Sequence, residues 1–257
     1  MSAIRGARER ARIEVTAAIK VEARRQLAAE GAAKLSLRAV ARELGMVSSA
    51  LYRYFPSRDE LLTALIVDAY DSVGEVAENA HRTAAPHGSA PAAHLARWVA
   101  VACAVRGWAL AHPHEYALIY GSPVPGYSAP QATIAPASRV GLVLIAVVED
   151  AHREVGLALP PLTEELRPEA ERLAADLAPG LPPAVAPSIV AAWAQLFGLV
   201  SFEIFGQFDR VVEAREAFFR QAVEELGRTV GLLGTAARGT VDTAGQCAGA
   251  AGRGAER

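Results

Sequence analysis

The sequence predicts an all-α protein: an N-terminal three-helix unit built around a helix-turn-helix, then a larger helical domain. Three observations carry this. Apolar residues recur at helical spacing along nearly the whole chain, and no alternating β-branched run lies between turns. Two short helical segments, Leu37 to Leu44 and Val47 to Tyr54, flank a glycine turn. Charge is split along the chain. Residues 1–60 carry 12 Lys+Arg against 7 Asp+Glu, and the remaining 197 carry 14 against 21, so +5 is followed by −7.

In order, residues 1–13 read as a basic N-terminal arm. From Glu14 to Glu30, Val15, Ile19, Ala23 and Leu27 fall four apart on one face. Gly31 is expected to end that helix in a left-handed cap. Ser36 is placed to N-cap the second helix, which Gly45 closes. The third runs from about Val47 to Tyr54. Ser57-Arg58-Asp59-Glu60 fits a capping box opening a long helix to about Asn79, with Leu61, Leu65, Ala69, Val73 and Val76 as its buried stripe. Thr83 to Pro91 reads as a loop. Helices follow at about 92–111 and 115–120, then, after a loop through Pro130, at about 131–155, 163–177, 185–206 and 211–233. The tail from Thr235 is rich in Gly and Ala and is expected to be disordered. The domains are therefore expected at 14–60 and 61–234, with the tail at 235–257.

Composition excludes several classes. Apolar residues make up 52% and charged residues 21% of 257, which fits a globular chain. Two cysteines, Cys103 and Cys247, cannot build a disulfide framework or a four-cysteine zinc site. No signal peptide is visible. The longest apolar run, Ile189 to Phe202, spans 14 residues against the ~20 that cross a bilayer, so no membrane partner and a cytoplasmic location are expected. The preference for Arg over Lys reads as codon bias and not as a binding signal.

A second and third helix of these proportions suit the major groove. With Leu37, Val40, Ala41, Leu44, Leu51 and Phe55 turned inward, Ser48, Ser49, Tyr52 and Arg53 remain outward. Small hydroxyls fit against base edges, and Tyr and Arg reach phosphate or guanine. The same geometry also occurs as a plain structural corner.

The stretch Ile19 to Leu61 resembles the DNA-binding domain of the tetracycline-repressor (TetR) family. Ile19, Ala23, Gly31, LSLRAVARELG (Leu35 to Gly45) and ALYRYFPSRDEL (Ala50 to Leu61) carry the likeness. It implies a homodimer, an all-helical body and ligand-controlled transcription. Carried over by position, Ser36 and Arg38 would meet DNA at the start of the second helix. Ser48, Ser49 and Ala50 would face base edges, and Tyr52, Arg53 and Arg58 the backbone. Val47 departs from the Ser usual at the cap of the recognition helix, a loss of about 1 kcal/mol unless Ser48 takes over. Arg58 stands where Lys is common.

Arg106 to Tyr127 and WAQLFG (Trp193 to Gly198) resemble the C-terminal domain of one TetR subgroup, whose Trp-His-Gly motif has Phe197 here in place of His. Trp98, Trp108, Tyr116, Tyr120, Tyr127, Trp193 and Phe197 are candidates to line a cavity for a small apolar or aromatic effector; ordinary core is the alternative for each. Helices 184–206 and 211–233 are expected to form a four-helix dimer interface, with Ala191, Ala194, Gly198 and Ser201 permitting close approach.

No catalytic or cofactor signature is found. His112, His114 and Glu115 lie close in sequence, but His at i and i+2 around a proline do not share a helical face. A metal site is not expected there. A small-molecule-binding protein or enzyme keeping the helix-turn-helix as scaffold is the rival reading, and a dimerisation module is a third.

Overall fold

The structure is a computed structural model that describes residues 2–84 and 91–232. Cys247, the tail from Thr235 and most of the Thr83–Pro91 loop lie outside the described residues. Among the described residues, ten α-helices account for the fold: α1 (Ser2–Glu30), α2 (Leu37–Glu43), α3 (Ser48–Leu51), α4 (Arg58–Thr83), α5 (Pro91–Ala111), α6 (Pro113–Tyr120), α7 (Ile134–Glu154), α8 (Arg167–Leu177), α9 (Val185–Ile204) and α10 (Arg215–Val230). No strand occurs among the described residues.

Two differences from expectation lie at the start. Residues 2–13 are not a separate arm but the first turns of α1. Gly31 takes φ 78° with ψ 164°. The positive φ suits glycine, but the extended ψ makes it a turn into a short 3₁₀ segment, Ala32–Lys34, and not a left-handed cap.

The chain builds two cores. Ile19, Ala23 and Leu27 of α1 meet Leu37, Val40 and Ala41 of α2, Leu51, Phe55, and Leu61, Leu62 and Leu65 of α4. From Ala69 onward α4 belongs to a second core with α5, α7, α9 and α10. The boundary expected at 60/61 therefore falls inside one continuous helix, whose first two turns pack in the small head and whose remainder packs in the body. A rigid helix shared by two cores couples them, because neither end can rotate without the other.

Polar contacts reinforce this junction. Asp68 of α4 accepts from Lys20 (2.8 Å) and Arg24 (2.7 Å) of α1, and Arg24 also pairs with Glu115 of α6 at 3.2 Å. Deeper in the body, Arg139 of α7 donates to both oxygens of Glu78 and to Asp71, both on α4.

By length and composition, residues 131–154 and α9 could each cross a membrane, at mean hydropathy 1.6. Here α7 buries Val140, Val143, Leu144, Val147 and Val148 in the body core, and α9 buries Ile189, Leu196 and Val200 there. The apolar run seen in the sequence is the inner face of α9 plus an exposed strip.

Candidate nucleic-acid interface and effector groove

The head presents its surface through α2 and α3. Ser36 caps α2, its hydroxyl accepting from the Ala39 N–H at 3.4 Å. Leu37, Val40 and Ala41 are buried, which leaves Arg38 and Arg42 exposed. Gly45, at φ 64°, makes the turn, and the Met46 N–H bonds back to the Ala41 carbonyl at 2.8 Å. The cap question at α3 has a plain outcome. Val47 is the N-cap, with no side-chain hydrogen bond, and Ser48 is the first helical residue rather than a substitute cap. This four-residue helix continues through 3₁₀-type bonds, the Arg53 N–H to the Ala50 carbonyl and the Tyr54 N–H to the Leu51 carbonyl.

Leu51 is fully buried and anchors α3. Ser49, Tyr52 and Arg53 are exposed, and Ser48 and Ala50 are half-buried beside them. These five therefore remain accessible to a partner.

Arg58 differs from these five. Its guanidinium donates to the carbonyls of Ala32 (2.9 Å), Ala33 (3.3 Å) and Leu35 (3.2 Å), and its remaining nitrogen lies 3.5 Å from Asp59. Three backbone acceptors that follow α1 take three of its five N–H donors, so it clamps the head internally, with only Nη1 not bonded to backbone.

The seven candidate aromatics of the body separate into two groups. Trp98 is buried and donates to the Val223 carbonyl at 2.9 Å, and Trp108 donates to Ser72 at 2.8 Å. Tyr116 is fully buried, and its hydroxyl bonds to the Phe197 carbonyl (3.1 Å) and to Ser201 (2.8 Å). Burial pushes the Tyr116 hydroxyl up to about 12, with the Ser201 bond opposing. Phe197 is buried and stacks on Tyr120 at 4.2 Å, and burial raises the Tyr120 hydroxyl far above its ordinary value. Trp98, Trp108, Tyr116 and Phe197 are thus core, and Tyr120 sits behind them. Ser201 points inward to Tyr116, so it does not help form an outer small-residue face.

Tyr127 and Trp193 do line a groove, of about 630 Å³, with Ile66 and Tyr70 of α4, Val124 of the 121–130 segment and Ile134 of α7. Among the described residues no charged side chain lines it. Tyr70 donates to the Ile119 carbonyl at 3.3 Å. Burial, and the nearby Tyr127 second, raise its hydroxyl above the ordinary value. Sequence reasoning missed Ile66, Tyr70 and Ile134. An isoleucine opening a helix just after a proline-rich segment is the one signal the sequence offers; in the structure Ile134 is exposed.

The groove touches the head. Thr63, in the second turn of α4, donates to the Asp59 carbonyl at 2.8 Å. That uses its one proton, so in the 2.9 Å contact between Thr63 and Tyr127 the tyrosine is the donor. Val124 and Tyr127 also pack against the head core.

The remaining histidine cluster is dispersed. His112 stacks on Trp108, Glu115 serves Arg24, and among the described residues no three His, Cys, Asp or Glu side chains gather as a metal site.

Comparison with known proteins adds independent findings. Residues 19–65 match the model of bacterial regulatory proteins of the tetR family, and residues 98–226 match that of the tetracyclin repressor-like C-terminal domain. The HTH-type transcriptional regulators Rv1816 of Mycobacterium tuberculosis and Mb1846 of Mycobacterium bovis are each 42% identical over 209 residues, covering 79% of this chain and 86% of theirs. Among solved structures, the regulatory protein SCO4313 is 33% identical with TM-score 0.70, over 85% of this chain and 97% of that one. PfmR, a TetR family regulator from Thermus thermophilus, shares the fold at 19% identity and TM-score 0.53, over 82% of this chain and 97% of its own.

Proposed function

The chain belongs to the TetR family and is a DNA-binding transcriptional regulator, and we propose that it is a homodimeric repressor released from a pseudo-palindromic operator by a small uncharged effector. In this reading Ser48, Ser49 and Ala50 face base edges, while Ser36, Arg38, Tyr52 and Arg53 meet phosphates. In this reading it works in the cytoplasm, where the DNA is.

One observation supports the effector reading most. The groove bearing Tyr127 and Trp193 has no charged lining, and its Tyr127 hydroxyl donates to Thr63 near the start of α4. A charged ligand would lose its hydration there without gaining a counter-charge. An apolar or aromatic molecule with a hydroxyl group would bury apolar surface and still find the oxygens of Tyr70, Tyr127, Thr133 or Ser138 as acceptors, since their own protons go to Ile119, Thr63, Pro130 and Ala135. Displacing Tyr127 would release the 121–130 segment from the head and free α4 to tilt. A coupling of about 1–3 kcal/mol weakens operator binding about 5–150-fold.

The dimer reading draws on α9 and α10. Phe202, Phe205 and Phe218 are exposed by 53%, 44% and 42%. A groove of about 520 Å³ between the two helices, lined by Gly198, Leu199, Phe202, Phe218 and Ala222, matches what a second copy would fill. A two-fold dimer sets two α3 segments on one duplex face.

The test is fluorescence anisotropy of the dimer on DNA from upstream of its own coding region, against a scrambled duplex across a salt series. Selective, steeply salt-dependent binding that an uncharged aromatic compound reverses, with a change in Trp193 fluorescence, is the expected result. Release by charged compounds alone would overturn the effector assignment.

A further inference from the structure

We propose that the first turns of α1 are a second DNA-contacting element, in which Arg8 and Arg12 bind operator phosphates beyond the stretch that α3 reads. This rests on the DNA-binding reading above and extends it.

Residues 6–14 are all exposed. They bury nothing in the head core, so packing does not explain a helix there. Their charge points to another partner: residues 1–13 hold four arginines and one glutamate. Because this stretch is helical and continuous with Ile19, Ala23 and Leu27 of the head core, its arginines are held at fixed positions. A loose tail would lose chain entropy on binding, and a helix already formed does not.

Arg8 and Arg12 lie four apart, on one side of the helix. Arg12 shows where that side faces, since its guanidinium stands 5.8 Å from the ring centre of Tyr54, in the turn that ends the α3 segment. Arg8 is one turn, about 5.4 Å, farther out along the axis. Both arginines are exposed. The stripe therefore begins beside the turn that carries Arg53 into half-buried Tyr54 and runs away from the helix-turn-helix. Glu14 falls on the far side of α1 by helical spacing, and Glu9 is the one carboxylate bordering the stripe. The body, net −7 over residues 61–257, repels a polyanion. Duplex phosphate is the partner that fits.

The experiment uses the full-length dimer on its selected operator, with anisotropy read from 50 to 200 mM salt, roughly the range over which phosphate contacts change affinity by orders of magnitude. The Arg8→Ala, Arg12→Ala double variant keeps helix-forming residues, and circular dichroism checks that it folds. The expected result is a log K against log salt slope smaller by about 1.8 per protomer, with affinity down tenfold or more. The Arg8→Lys, Arg12→Lys variant restores both, and Glu9→Gln tightens binding. An unchanged slope in the alanine double variant, alongside a reduced slope in Arg53→Ala, would overturn the α1 contact and leave the α3 reading standing. Absence of salt-dependent, sequence-selective binding by the unaltered protein would overturn both.

Discussion

The head and the body use exposure in opposite ways. In the head, a small core takes Leu37, Val40, Ala41, Leu51 and Phe55, and what remains outside, Ser49, Tyr52 and Arg53, is the candidate interface. In the body, most of the aromatics that looked functional were consumed by packing. Trp98, Trp108 and Tyr116 each bury the ring and satisfy the polar tip on a backbone or hydroxyl partner. Residue type alone therefore carries a functional signal in the head and little in the body. An aromatic with its hydrogen bond met inside the core is ordinary structure.

That contrast can be broken or sharpened by mutation. The largest effect is expected in the body, where Arg106 donates twice to Glu203 at 2.6 Å and the Glu203 side chain is only 6% exposed. Arg106→Met strands that carboxylate and is expected to cost about 3–5 kcal/mol in denaturant unfolding, much of it recovered by adding Glu203→Leu. Arg58→Ala comes next. It removes the guanidinium donor from the Leu35 carbonyl and leaves the Ala32 carbonyl only the Leu35 N–H, so stability should fall by about 1–3 kcal/mol while the salt slope of DNA binding stays unchanged. A reduced slope would return Arg58 to the DNA surface. Arg53→Ala should do the reverse, lowering affinity and reducing the slope by about 0.9 per protomer with stability within about 0.5 kcal/mol of the parent.

Tyr127→Phe is smaller still. It removes the bond to Thr63, about 1 kcal/mol, and operator affinity without effector should change little while the effector's release effect shrinks. Equal release in both proteins would remove Tyr127 from the coupling path. The smallest effect concerns His81 on α4. Burial first, and Arg97 second, push its imidazole below the ordinary 6.5, with Asp150 opposing. The unfolded chain then takes up a proton near pH 6.5 that the folded chain does not, so stability falls as pH drops from above 6.5 toward the lower folded value. His81→Gln should flatten that part of the melting-temperature profile between pH 7.5 and 5.5.

The legible and illegible parts divide by sequence separation. The helix-turn-helix lies within about 45 consecutive residues, and its caps, glycine turn and apolar spacing are local rules. Ser36 and Ser57 cap α2 and α4 as the pattern required. Arg58 looked like a surface cation because no local rule brings the carbonyls of Ala32 and Leu35, 26 and 23 residues earlier, onto its guanidinium. The groove beside Tyr127 and Trp193 was harder still. It joins Ile66, Tyr127, Ile134 and Trp193 from four separate segments, and only packing decides which face of each is left uncovered.

The sequence by itself determined the helices, their order, the reading head and the confinement of net positive charge to the first 60 residues, because helix periodicity, capping and charge all act over a few neighbours. Tertiary structure alone decided that residues 2–13 extend α1, that α4 serves two cores, that Tyr127 and not Trp98 or Tyr116 borders open space, and that Arg58 is a clamp. Each of these turns on how much surface remains exposed once distant segments have packed, and no short window of sequence contains that quantity.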